Sequence, residues 1–326
     1  MGAETGIEWA DATVNVWEGC TKISPACKHC YAETNSPVRA MEVRIGEALQ
    51  VEPSADGKRR LKMWGPNGFR YETANWEAQL RALNRKAQLK RMGGILANPP
   101  KEYKRPRVFI NSLSDTFEDW QGPVYRLVDG SVQKNQAHIH AQSIEGLRKR
   151  FFQVAEECTE LDLLLLTKRP ENVLRMAPLH WLKMDGKWPA WVWIGTTVED
   201  QEHADKRIPE LLKVPAKVRF LSVEPLLGPV VLPIDPPRVQ MIDWVIVGGE
   251  SGTNARPMHP DWVRKVRDRC VAGGVPFFFK QWGEYAPRLE VVNMSPPYRT
   301  EERIRKVGKK NAGRVLDGRT WDEVPR

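Results

Sequence analysis

Seven short, apolar, β-rich runs recur along the chain, most of them followed by a polar stretch with helical periodicity. The runs are Thr13–Trp17, Arg107–Ile110, Leu161–Leu166, Trp191–Thr196, Val218–Val223, Trp244–Val247 and Val275–Phe279. Most are apolar throughout rather than alternating, the pattern of parallel strands covered on both faces. Ser143–Cys158 places Ile144, Leu147, Phe151, Val154 and Ala155 on one helical face, and Asp200–Leu212 and Pro260–Ala272 follow the fourth and sixth runs. Strands alternating with helices of this length predict βαβ units and a parallel sheet. Six or seven such units predict an α/β fold, a partial (β/α) barrel in one domain over residues 1–326, with its site at the C-terminal strand ends.

Residues 47–104 interrupt this rhythm with Gly57, Gly65, Gly68, Pro53 and Pro66, with Lys58, Arg59, Arg60, Lys62, Arg81, Arg85 and Arg91, and with Trp64, Phe69, Tyr71 and Trp76. The segment reads as a basic insertion after the first barrel unit. Cations with interleaved aromatics suit a nucleic-acid-facing cap; the competing reading is a solvated helix, Trp76–Met92, whose aromatics pack on the barrel. Residues 284–326 form a C-terminal extension with a basic tail. Lys and Arg number 50 against 41 Asp and Glu, a net charge of +9 that favours acidic partners such as nucleic acid. No apolar run approaches the roughly 20 residues of a membrane span. Met1–Trp9 has neither the basic nor the apolar region of a signal peptide. The expectation is a cytoplasmic protein without a membrane partner.

Three of the five cysteines fall in Glu18-Gly19-Cys20-Thr21-Lys22-Ile23-Ser24-Pro25-Ala26-Cys27-Lys28-His29-Cys30, directly after the first predicted strand. An odd number in such a chain argues against a disulfide framework. Ser24-Pro25 predicts a turn, after which Cys27 and Cys30 enter a helix as neighbours on one turn. Three thiolates on one loop suit a metal centre. A structural zinc site needs four ligands, which His29 or a distant His would complete; a cubane held by three cysteines leaves one iron open. His138 and His140 are weak metal candidates. Cys158 and Cys270 stand alone on predicted helices, where a free Cys is commonly a small buried hydrophobe.

The cysteine arrangement resembles the radical S-adenosylmethionine superfamily, with six residues instead of three in the first gap. Over nearly its full length the chain looks like the phage-associated three-cysteine-motif proteins. Ile7-Glu8-Trp9 to Tyr31-Ala32-Glu33, Ile246-Val247-Gly248-Gly249-Glu250-Ser251-Gly252, Phe277-Phe278-Phe279-Lys280-Gln281-Trp282-Gly283 and Leu316-Asp317-Gly318-Arg319 carry that likeness. The resemblance implies a radical-SAM-type partial barrel, a [4Fe-4S] cluster on Cys20, Cys27 and Cys30, and S-adenosyl-L-methionine as cofactor. It also implies an electron donor of flavodoxin or ferredoxin type, a three-cysteine-motif partner protein, and a bacterium or a phage's bacterial host as the setting. The alternative is a zinc-binding module on nucleic acid without radical chemistry.

More distantly, Ile110-Asn111-Ser112-Leu113-Ser114-Asp115, Leu166-Thr167-Lys168-Arg169-Pro170, Gly195-Thr196-Thr197 and Val223-Glu224-Pro225-Leu226 look like strand ends of spore photoproduct lyase-like enzymes. This implies that Ser112, Ser114, Asp115, Lys168, Thr196, Thr197 and Glu224 surround the cofactor, and a nucleic-acid base or nucleotide becomes the expected substrate. The chemistry of the residues agrees. Lys168 can hold a methionine carboxylate, Asp115 or Glu224 the ammonium, and Thr196 and Thr197 ribose hydroxyls. Each of them equally suits a loop or N-cap role. The lyases quench with a thiol near the second strand. No cysteine lies between Asn98 and Glu157 here, which speaks against thymine-dimer repair.

Gly248-Gly249-Glu250 follows the sixth strand, whereas the superfamily's Gly-Gly-Glu turn follows the second; a ligand-binding turn and a sharp structural turn both fit. Arg256, His259 and Lys280 form a candidate second polar cluster. No Walker loop, G-x-G-x-x-G helix start or H-E-x-x-H is present.

Overall fold

The structure is a computed structural model that describes residues 5–35, 51–53, 59–61, 63–96, 102–122, 124–128, 131–134, 143–182, 188–234, 242–291 and 300–325. All seven apolar runs contribute strands to one sheet: β1 Ala12–Val14, β2 Arg107–Ile110, β3 Asp162–Thr167, β4 Val192–Thr197, β5 Arg219–Val223, β6 Trp244–Gly248 and β7 Phe277–Gln281. The strand order follows chain order without reversal. The pairs β1/β2, β2/β3, β5/β6 and β6/β7 are parallel. A doubly wound sheet reverses its order at a switch point. With crossovers of one hand, an order that never reverses is that of a partial barrel, a mostly parallel, curled sheet. Among the described residues the four long helices are α1 Trp76–Ile95, α2 Ile144–Glu157, α3 Gln201–Leu212 and α4 Pro260–Gly273. Among the described residues no helix is long and apolar enough to cross a membrane.

The chain divides into two compact units. The first comprises residues 1–24, 30–194 and 213–217. Its first predicted strand splits. After Val14 the chain leaves the sheet, because Asn111 Oδ1 takes the Val16 N–H at 2.7 Å. Trp17–Glu18 then pairs antiparallel with Arg70–Glu72, in a four-stranded sheet completed by Val124–Val128 and Ser131–Lys134. The residues expected to form an insertion therefore supply a strand beside the start of the cysteine loop. They also supply the hairpin Val51–Pro53/Arg59–Leu61 and α1. The described part of α1 buries Trp76, Leu80 and Ala87. Arg81 and Arg91 on that helix pair with Glu157 and Glu160, as a helix packed on its neighbours would. Lys58, Lys62, His138 and His140 lie outside the described residues.

α2 begins as its sequence predicts. Ser143 Oγ accepts from Gly146 N–H at 3.0 Å, and Ile144, Leu147, Phe151, Val154 and Ala155 are buried, the apolar stripe of an amphipathic helix. Phe152 continues into a row of rings, Trp181 at 5.1 Å and Trp188 a further 5.2 Å on.

At the opening of β3, burial pushes the Asp162 carboxyl up to about 6, against the pull of Arg105, Arg107 and Lys217. A carboxyl raised on folding disfavours the native state once charged. Its contribution is best below the unfolded value of about 4 and worsens as pH rises through about 6. Asp162→Asn is expected to stabilise the protein by about 2 kcal/mol at pH 8 and to change little at pH 4, as read by urea unfolding at both. An equal effect at both pH values would contradict this account.

The second unit comprises residues 25–29, 195–212 and 218–326. Its core holds Phe220, Trp244, Val245–Val247 and Phe277–Phe279. α4 starts at His259, whose Nδ1 accepts from Asp261 N–H, with Pro260 in the first turn, and ends at Gly274 with φ 64°. The extension returns along β7: Phe279 N–H donates to the Trp321 carbonyl and Trp244 Nε1 to that of Glu323. An edge strand that would otherwise invite pairing is thereby covered.

Candidate functional site

In the first unit the cysteine loop leaves Trp17–Glu18 at Gly19, which has φ 99°; a Cβ there would stand 2.6 Å from the Phe69 carbonyl oxygen and 2.7 Å from that of Met63. Only glycine fits that approach. Cys20 then bridges to Trp64, and its carbonyl accepts from Gly65 N–H at 3.0 Å. Arg169 Nη1 lies 3.7 Å from Cys20 Sγ, donates to Asp115 Oδ2 at 2.8 Å, and its Nη2 donates to the Thr21 carbonyl at 2.7 Å. Burial pushes the Cys20 thiol up, Glu118 adds to that, and Arg169 opposes both.

Asp115 also accepts from Thr167 Oγ1 at 2.7 Å, from Phe117 N–H at 3.0 Å and from Lys168 N–H at 3.1 Å. Burial alone would raise its carboxyl, but Arg169 and these donors outweigh burial and hold it below the usual carboxylate range. Asp115 is thus engaged on protein groups. The Lys168 ammonium pairs with no described residue. Ser112 Oγ donates to Asn15 Oδ1 at 3.3 Å and Ser114 Oγ to the Trp17 carbonyl at 2.7 Å, so both hydroxyls brace β1 and its extension.

Thr196, Thr197 and Glu224 belong to the second unit, the threonines buried. The Thr197 carbonyl accepts from Arg207, which also pairs with fully buried Glu199 at 2.6 Å. Glu224 Oε2 accepts from Ser222 Oγ at 3.2 Å, and its Oε1 lies 3.3 Å from Lys280 Nζ. In the Gly-Gly-Glu turn, Glu250 is clamped by Arg256, Nε to Oε2 at 2.8 Å and Nη2 to Oε1 at 2.5 Å. The same Nη2 donates to the Pro25 carbonyl at 3.0 Å, which supports the segment carrying Cys27. His259 is a helix cap rather than part of this cluster.

Among the described residues no cysteine is joined in a disulfide. Cys27 ends a 3-10 turn, Pro25–Cys27, and Cys30 precedes the helix Tyr31–Asn35. They do not share the helical turn expected, because Pro25 starts a tight turn that closes at Lys28 N–H. Cys20 and Cys30 fall in the first unit and Cys27 in the second. Among the described residues no three His, Cys, Asp or Glu are gathered as a metal-holding group. Cys158 and Cys270 are core residues whose thiols burial pushes up to about 12.

The spacing of the sequence pointed past Arg169 to its neighbour Lys168, and missed Glu118, Arg70 and Glu199. A half-buried cysteine on a polar loop is served by a cation, and Arg169, just past the end of β3, is the one that reaches Cys20 Sγ.

A family model matches residues 4–140 and 131–325, and the chain belongs to that family, described as "Protein of unknown function (DUF5131)". Comparison with curated proteins found no match. Comparison with solved structures found none either.

Proposed function

We propose that this family member is a radical S-adenosylmethionine enzyme in which Cys20, Cys27 and Cys30 hold a [4Fe-4S] cluster, and that its substrate is a nucleic-acid base or nucleotide. The observation that carries the reading is the donor set: three cysteines outside any disulfide on one loop after the first strand of a parallel sheet, the first of them facing a guanidinium. Three thiolates fit a cubane with one open iron, whereas a closed zinc site needs a fourth ligand. When bound, such a cluster supplies the electron that cleaves the sulfonium of the cofactor to a 5′-deoxyadenosyl radical.

The chain's own groups then have distinct tasks. Arg169 offers positive charge to the Cys20 sulfur while Asp115 fixes its guanidinium. Asp115 is a positioning residue on this reading, its carboxylate already taken up by Thr167, Lys168 and Arg169. The Lys168 ammonium, which pairs with no described residue, is suited to the cofactor carboxylate. Thr196 and Thr197 line the end of β4 as candidates for ribose hydroxyls. An electron donor of flavodoxin or ferredoxin type, a three-cysteine-motif partner and a bacterial cytoplasmic setting belong to the same proposal, and the charge of +9 supports a polyanionic substrate.

The test is anaerobic reconstitution with iron and sulfide, followed by EPR with and without S-adenosylmethionine. A reduced-cubane signal that the cofactor shifts, and that Cys20→Ala abolishes, is expected. A colourless protein holding stoichiometric zinc would overturn the proposal in favour of a zinc module on nucleic acid.

A further inference from the structure

Two irregularities in the second unit bring opposite charges together at the strand ends. The β6/β7 register pairs Val247 with Phe279 but Gly248 with Gln281, so Lys280 is an extra residue in β7. A bulge of this kind re-aims side chains and is frequent beside active sites. At Gly248 the missing side chain leaves room that the neighbouring carboxylate fills: a Cβ there would stand 2.6 Å from Glu224 Oε1. Glu224 and Lys280 therefore meet across β6 at 3.3 Å, with side chains 12% and 17% exposed.

This pair has unused capacity. Glu224 accepts from Ser222 and faces Lys280, which leaves carboxylate lone pairs open. The ammonium has three donors and one facing carboxylate. Gln281, 7% exposed, gives its Nε2 to Ser251 Oγ at 2.8 Å, while its Oε1 is buried without a hydrogen-bond partner among the described residues. An unmatched buried amide oxygen is costly and asks for a ligand. The end of β7 thus carries an amide acceptor on the residue that follows the cationic donor, and that donor faces the Glu224 carboxylate.

We propose that Glu224, Lys280 and Gln281 form a subsite for the lactam edge of a guanine-type nucleobase. A phosphate or other anion would face Glu224 and Gln281 Oε1, and a lone cation would face Lys280. A neutral edge that carries a carbonyl next to two N–H donors matches all three groups and leaves the ion pair in place. The ring carbonyl accepts from Lys280, and the ring N–H and exocyclic amine donate to Glu224 and Gln281 Oε1. That is the acceptor and donor pattern that sets guanine apart from adenine. The choice of a base as ligand rests on the proposed function; the approach of Glu224 to Lys280 does not.

The test is calorimetric binding of nucleosides, which carry no phosphate, to the full chain. Guanosine is expected to bind, inosine, which lacks the amine, about tenfold more weakly, and adenosine more weakly still. Glu224→Gln and Lys280→Met, with folding checked by circular dichroism, are expected to remove the preference for guanosine. Equal binding of the three nucleosides to the unaltered protein, or a preference that survives both substitutions, would overturn the subsite. So would L-methionine binding that depends on Glu224 and Lys280, since that marks an amino-acid pocket. The readout needs no cluster. Failure here beside a cofactor-shifted EPR signal sinks the subsite alone, and a zinc protein that still selects guanosine sinks the radical chemistry alone.

Discussion

Gly249→Ala is expected to destabilise the second unit by more than about 4 kcal/mol, enough to remove most soluble folded protein. A Cβ at this position would fall on the Trp282 carbonyl oxygen, and one at Gly283 would fall on that of Glu250. The two glycines let the backbones leaving β6 and β7 approach face to face, tied by Gly249 N–H to the Gln281 carbonyl at 2.9 Å and Glu284 N–H to that of Glu250 at 3.0 Å. The colliding atom is backbone, so no rotamer change relieves the clash; the strands must part, and the ladder holding Lys280 and Gln281 parts with them. Gly252→Ala is the control. Gly252 has φ 106° but nothing within 4 Å of a Cβ, so its cost is backbone strain alone, roughly 1–2 kcal/mol. Thermal melts of the two variants decide the matter. A Gly249→Ala protein that melts with or above Gly252→Ala would show that the approach is not close.

Much of the fold could be read from the sequence because its signals are local. Apolar runs placed all seven strands within a few residues, the helical stripe placed the buried face of α2, and the expected helix Pro260–Ala272 falls within one residue of α4. What escaped depends on partners distant in the chain. The run at Thr13–Trp17 looks continuous, and only Asn111, 95 residues from Val16, ends the ladder after Val14. The cover over β7 comes from Trp321 and Glu323, which no periodicity marks. At the candidate site the cysteines declare themselves by spacing, whereas Arg169 and Cys20 are 149 residues apart. Asp115 looked like a ligand group because the sequence shows its charge and not the four donors already on it. The partner of Glu250 was missed although it is near: Arg256 stands only six residues on, but the sequence groups it with His259 and Lys280.

Arg70→Met is expected to cost about 3–5 kcal/mol, the range for stranding one member of a buried ion pair. Arg70 and Glu118 have side chains 0% and 2% exposed. Arg70 Nε and Nη2 donate to Glu118 Oε2 and Oε1 at 2.8 and 2.7 Å, Nη2 reaches Thr21 Oγ1 at 2.8 Å, and Nη1 donates to the carbonyls of Met63 and Phe69. The guanidinium also lies 4.0 Å from the centre of the Trp120 ring. Without it Glu118 keeps the Thr21 N–H and Arg169 at 3.7 Å. The loop would then lose the guanidinium that ties Thr21 Oγ1 to the Met63 and Phe69 carbonyls, and its opening relieves the burial that holds the Cys20 thiol up. Two effects should therefore separate. The double variant Arg70→Met/Glu118→Leu removes both charges and is expected to recover about half or more of the lost stability, because most of the penalty is the uncompensated carboxylate. It should not restore the loop, since Thr21 then loses the Glu118 and Arg70 bonds and keeps only Arg169 on its carbonyl. Urea unfolding reads the first effect. Alkylation of Cys20 reads the second, with buried Cys158 and Cys270 as internal references. Recovered stability with Cys20 still over-reactive is the expected result. If the double variant is as unstable as Arg70→Met, the loss comes from Arg70's contacts with the loop and ring, and the ion pair itself contributes little.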